Sequence, residues 1–226
     1  MVRLFALVFL LAGPAFAGPD AGHPARVAVL YFDVQATNPE LAVFSKGLAA
    51  MMITDLAASP LQVVERDQLE AILSELKLGE TRFADKSKFP KIGALLGADF
   101  LVTGTLIKAG SLFTLELKLF SVSTSQIVHT MRAMLKEDDV LDAEQRAVES
   151  VLKHLDKLQV AAAPSAPPGT SAKKGTLKLA AAVKYSRALD AKDRKDTATA
   201  RTLLGEVVKD QPDFKLAQLD LLSLRD

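Results

Sequence analysis

Residues 98–135 read ADFLVTGTLIKAGSLFTLELKLFSVSTSQIVHTMRAML, and the fold turns on how this stretch is divided. Ala109-Gly110 and Ser123-Thr124-Ser125 cut it into three runs: Ala98 to Ile107, Leu112 to Val122 and Gln126 to Leu135. In the middle run Phe113, Leu115, Leu117 and Leu119 alternate with Thr114, Glu116 and Lys118. That is the period of a strand with one wet face. Short turns between such runs predict two hairpins, and so an antiparallel meander.

Working outward toward the amino terminus, Arg26 to Phe32 (RVAVLYF) is a continuous apolar, β-branched run ended by Asp33. A strand buried on both faces looks like this, which places it centrally in the sheet. Asn38-Pro39 supplies an N-cap followed by proline at the first helical position. Leu41, Phe44, Leu48, Met52 and Leu56 then recur at helical spacing, predicting a helix from Pro39 to about Ala58. Ser59-Pro60 stops it, and Leu61 to Val64 reads as a second short strand. Asp67 and Glu70, three apart before Ile72, Leu73 and Leu76, resemble a capping box that opens a second helix closed by Gly79. A polar stretch to Lys88 reads as an exposed loop, and Pro90 to Leu96 as a short helix ended by Gly97.

On the carboxy-terminal side, Leu141, Val148, Leu152 and Leu155 predict a helix from Asp139 to about Leu158 that packs back on the sheet. Residues 160–175 are rich in Ala, Pro, Ser, Gly and Lys, which cannot bury enough apolar surface to offset ordering entropy. This reads as a linker of about 16 residues with a reach of roughly 20 to 25 Å, leaving the carboxy-terminal segment loosely tethered. Three short helices are expected over Leu177 to Leu189, Thr197 to Lys209 and Asp213 to Leu224, with Asp196 as an N-cap. Ala188, Ala200, Leu204, Val207 and Pro212 give the pair a partial likeness to a tetratricopeptide unit. A generic helical hairpin fits equally, since one repeat and a cap fall short of the three or so that stabilise a solenoid.

Composition bounds the function. The chain has 226 residues, 49% hydrophobic, with a formal net charge of +1. No bulk field recruits nucleic acid. Aromatics are 6% with no Trp, which removes the usual stacking platforms for single strands or sugars. Cysteine is absent, which excludes disulfides, thiolate metal sites, a Cys nucleophile and a lipid-modified Cys. Arg3, the apolar run Leu4 to Ala12 and the small residues Ala15-Phe16-Ala17 read as a signal peptide over residues 1–17, cleaved before Gly18. Residues 18–25 then form a spacer, 26–159 an α/β domain, 160–175 the linker and 176–226 the helical segment. Export implies a periplasmic or outer-membrane-associated location.

Three blocks carry a family resemblance: RVAVLYFD from Arg26, VVERDQLEAILSEL from Val63 to Leu76, and LLGADFLVTGTL from Leu95 to Leu106. In order and spacing the domain resembles the CsgG family, the curli production assembly/transport component, and the related TolB amino-terminal domain. The resemblance implies an α/β sandwich, a mixed sheet of about five strands flanked by helices, working in the bacterial envelope through oligomeric assembly or docking. Two departures matter. The lipid-bearing Cys of several relatives is missing, so no lipid anchor is available, although peripheral outer-membrane association stays open. The secretion channel adds membrane-spanning hairpins, whereas here every alternating segment is needed for the core. Leu112 to Phe120 does have the length and alternation of a spanning strand.

Little in the sequence points to catalysis. His23, His129 and His154 have no metal-ligand spacing. No serine lies in a Gly-x-Ser-x-Gly elbow, and Gly93, Gly97 and Gly104 form no phosphate-cradling loop. No cofactor is implied. Candidate partner contacts are Glu65 and Arg66, which alternatively form a local ion pair, Lys86 and Lys88 with Lys91 in a small basic patch, and Met51, which alternatively lies in the core. Asp99 reads as a turn or cap residue. The expected function is a non-enzymatic envelope assembly or adaptor protein binding other envelope proteins or itself; a secretion-channel subunit is the alternative.

Overall fold

The computed structural model describes residues 24–76, 86–158 and 177–224. The expected signal peptide, the Gly79 helix stop with most of the polar loop, and the linker lie outside the described residues.

One mixed six-stranded sheet organises the domain. β1 (Arg26–Val29) lies between β3 (Gln62–Val63) and β4 (Phe100–Ala109), parallel to both. β4, β5 (Leu112–Ser121) and β6 (Gln126–Lys136) form the antiparallel meander. The two ladders match the alternation read in the sequence: Phe113, Leu115, Leu117 and Leu119 are all buried on one face. Gly110, at φ +60°, makes the first turn in the left-handed conformation that glycine adopts without a Cβ clash.

The run Arg26 to Phe32 is buried throughout from Val27, as its composition predicts, yet it is not one strand. β1 stops at Val29, and Asp33, expected to end the strand, begins β2 (Asp33–Gln35), which pairs with β4 further along. Between the two the chain advances four residues, Val29 to Asp33, while β4 advances three, Val102 to Thr105. The extra residue is a bulge. Gly104 makes room for it, because a Cβ there would lie 2.6 Å from the Phe32 ring and 2.0 Å from the Glu116 carbonyl oxygen.

Asn38 caps a 3₁₀ turn, Pro39–Leu41, by accepting from Glu40 N–H, and α1 (Phe44–Ala57) comes next. α2 (Arg66–Glu75) begins without a capping box. Glu70 instead accepts a hydrogen bond from the Tyr31 hydroxyl, and Asp67 pairs with Arg66. α3 (Phe89–Leu96) ends at Gly97 as expected, with φ +60°. It covers one end of the outer sheet face, where Phe89 meets Phe120 edge-on. α4 (Val140–Lys157) lies on the opposite face against β5 and β6, beside α1.

The tail consists of α5 (Leu179–Asp193), α6 (Thr197–Asp210) and α7 (Lys215–Ser223). Asp196 accepts from Thr199 N–H as the N-cap of α6. Ala188 and Leu189 pack with Ala200, Leu204 and Val207 in the hairpin interior. The hairpin is not held by its tether alone: α5 lies directly against α1.

Candidate functional site: an ionic seam under the helical tail

α1 carries apolar or small residues on every side, from Phe44 through Leu48, Ala49, Ala50, Met51 and Met52 to Leu56, all buried. A helix apolar all round must be covered on both sides. The sheet covers one side and α5 the other. Close approach depends on Gly47, where a Cβ would meet Ser186 Oγ at 1.9 Å and the Ala182 carbonyl oxygen at 3.3 Å. Ser186 Oγ itself donates to that carbonyl.

Beside this contact lie two cations and two carboxylates. Lys46 Nζ reaches Asp190 Oδ1 at 3.0 Å and Asp193 Oδ2 at 2.9 Å. From α2, Arg66 Nη1 donates to both Asp193 oxygens at 2.9 and 3.0 Å, while its Nη2 donates to Asp67 Oδ1 at 3.0 Å. The Lys46, Arg66 and Asp193 side chains are only 5%, 10% and 8% exposed. The four charges cancel, which is the condition for burying them together. Tyr31 completes the group: its hydroxyl donates to Glu70 Oε2 at 2.5 Å and accepts from Arg66 Nη1 at 3.4 Å. Burial raises the Tyr31 pKa, and Glu70 adds to burial against the pull of Arg66, so the hydroxyl stays neutral. For Arg66, burial opposes the charge, while Asp193, by charge and hydrogen bond, and Asp67 favour it; its pKa is raised. Within the tail, Tyr185 donates to Asp220 Oδ2 at 2.6 Å and Lys192 reaches Asp220 Oδ1 at 3.3 Å, tying α7 to α5.

Among the described residues, two surfaces stay uncovered. Along the outer face of the meander the ladders align Ile107, Thr114 and Met134 in one row and Thr105, Glu116 and Arg132 in the next. Met134 is 72% exposed, with Ile107 and Leu112 exposed near it. Glu116 binds Lys118 and Arg132, and those hydrogen bonds lower its pKa. On the far side of the tail, α7 presents Leu219 and Leu222, one turn apart and exposed. A shallow cleft of about 230 Å³ lies where the 3₁₀ turn, α5 and the end of β4 meet, lined among others by Leu41, Leu179 and Val183. Its charges are already paired, Arg187 with Glu40, Lys108 with Glu137, and Lys184 with Glu206 and Asp210 of α6.

Of the candidate contacts, Arg66 is buried in the seam and pairs with Asp67 and Asp193 rather than with Glu65. Glu65 is exposed at the start of α2, and makes no side-chain cap bond there. Met51 is core. Lys86 and Lys88 bound a 3₁₀ turn leading into α3, with Lys88 half-buried. Asp99, read as a turn or cap residue, accepts from the Arg26 N–H at 2.8 Å, a long-range bond to the start of β1. Sequence reasoning passed over Lys46, Asp190 and Asp193. A lone lysine inside an apolar helix, and two aspartates three apart on a tail helix, were the signals that could have found them. Among the described residues no cluster of three or more His, Cys, Asp or Glu is placed to hold a metal ion, and no helix is long and apolar enough to cross a membrane.

Residues 19–112 match the family described as the curli production assembly/transport component CsgG. No curated protein sequence matches the chain. Among solved structures, the LpoB C-terminal domain from Salmonella enterica is similar at 16% identity and a TM-score of 0.41, over 51% of this chain and 86% of that one. The lipoprotein GNA1162 from Neisseria meningitidis shares 14% identity at a TM-score of 0.45, over 59% of this chain and 97% of that one. A PelC dodecamer from Paraburkholderia phytofirmans shares 15% at 0.32, over 62% and 90%. Over residues 19–112, then, the chain resembles the CsgG family, and its sheet runs on past that segment through β5 and β6.

Proposed function

We propose that this chain is a non-enzymatic assembly or adaptor protein of the bacterial envelope, periplasmic or associated with the outer membrane. The α/β domain and a tetratricopeptide-like tail would each offer a docking surface to other envelope proteins or to a second copy. The family resemblance supports the setting, as does the leader-like amino terminus. The observation that carries the reading is the seam: Lys46 and Arg66 hold α5 through Asp190 and Asp193, so the tail is braced on the domain. Two surfaces with exposed apolar residues, around Met134 and around Leu219, are thereby held in a defined relation. A scaffold needs this, and a tail on a slack tether would not provide it.

A photo-cross-linking side chain placed at Met134 or at Leu219 tests the reading in the exporting cell. Discrete adducts, either to envelope proteins or between copies, are expected from at least one site. A folded, exported protein that yields none from either would refute it. The alternative, a secretion-channel subunit, draws on the transport half of the family's description. Against it, the apolar face of the meander is packed under helices in the core. Extraction only by detergent, with ring-shaped oligomers, would favour the channel; release by osmotic shock would favour the adaptor.

A further inference from the structure

Where β6 meets the last turns of α4, two imidazoles stack. The rings of His129 and His154 lie with centroids 4.7 Å apart and planes 19° from parallel. His129 Nε2 shares a hydrogen bond of 2.7 Å with Ser150 Oγ, one turn earlier on α4. His154 Nε2 is buried and has no hydrogen-bond partner among the described residues. While His154 is neutral, the tautomer protonated at Nδ1 leaves this nitrogen a bare lone pair. Protonation of His129 would set a positive ring against this stacked neighbour, within reach of Lys157 as well.

The charged groups bearing on His129 are His154 and Lys157, both on α4 and both cationic when protonated. From β5, Leu119 stands opposite His129 and brings no charge. Burial first, then these two cations, lowers the His129 pKa from its ordinary value. The carboxy-terminal end of α4 does favour positive charge, but that is a weak, solvent-screened attraction set against contact repulsion.

We propose that the His129–His154 stack is an acid-sensitive latch that holds the last turns of α4 on β6 at neutral pH and releases them in mild acid. The sign comes from linkage. A base whose folded pKa is depressed takes its proton more readily in the opened state. The latch is therefore intact above the ordinary histidine range of about 6.5, and weakens as pH falls through it. α4 ends at Lys157, just before the segment that leads to the tail, so opening would loosen the route between sheet and tail. This goes beyond the assembly reading and does not depend on it.

Hydrogen exchange on the full chain, corrected for intrinsic rates, tests the latch between pH 7.5 and 5. Amides of residues 150–158 should open roughly tenfold more at the acid end, with β4 and β5 unchanged. His129→Gln with His154→Gln should remove that pH dependence. Should the double variant misfold, an NMR titration of the unaltered chain decides: the His129 imidazole should titrate with a midpoint below the ordinary value, at the pH of opening. Lys157→Gln, an exposed change, should raise the His129 midpoint. Titration of His129 at the ordinary value, or the same acid opening in the double variant, would overturn the proposal.

Discussion

Asp193 is one carboxylate serving two cations: Lys46 meets one of its oxygens and Arg66 both. Its removal should therefore cost more than an ordinary ion pair. Among the described residues, Asp193→Ala leaves buried Arg66 with the exposed Asp67 as its charged partner, and takes from Lys46 one of the two aspartates it reaches. Stranding a buried charge in this way costs about 3–5 kcal/mol. Removing both members of a pair is different in kind, because no unpaired charge stays inside. Arg66→Met with Asp193→Leu should thus recover much of the loss seen in Asp193→Ala. Urea denaturation of Arg66→Met, Asp193→Leu and the double gives the coupling directly. If the singles melt like the parent, the seam contributes nothing to stability.

Between neighbouring strands, phase decides everything, since a one-residue slip exchanges the two faces. Leu117 lies opposite Gly104 and Met131 and is fully buried, whereas Met134 on β6 faces outward. Leu117→Asp should cost several kcal/mol, enough to unfold a marginal domain, while Met134→Asp should stay within about 0.5 kcal/mol of the parent. Thermal melts of both variants check this, and equal behaviour would mean the phase is wrong. At this scale the sequence was most legible. Alternation in Phe113 to Leu119, and turn residues at 109–110 and 123–125, are local signals, and the meander followed them nearly residue for residue. The bulge at Phe32 was not legible, because Gly104, which makes room for it, lies far along the chain. The expected capping box at Asp67 and Glu70 failed for a similar reason. Tyr31, from the distant segment between β1 and β2, and the adjacent Arg66 claimed those carboxylates. Likewise His129 and His154 carry no shared local pattern and meet only when α4 folds onto β6.

For the molecule as a whole, composition predicted a slack tail, but the docking surface is written into α1. Phe44, Leu48, Met52 and Leu56 mark one apolar stripe of α1, yet Gly47, Ala50 and Met51 on the remaining sides are equally buried. That surplus of apolar surface was the sign that something further packs there. Ending the chain after Leu158 would uncover it. The electrostatic outcome should be mild, because Lys46 and Arg66 would regain water when they lose Asp190 and Asp193, unlike the stranded charges of Asp193→Ala. The apolar loss should dominate, as the face that held Leu179, Ala182 and Val183 becomes an exposed patch. The truncated protein is therefore expected to keep its sheet by circular dichroism but to associate with rising concentration in light scattering. Added residues 177–226 should restore a monomer only at high concentration, since a covalent connection supplies an effective concentration of about millimolar that a separate peptide lacks. A truncated protein that stays monodisperse and melts with the parent would show that α1 needs no cover and that the seam is incidental to the fold.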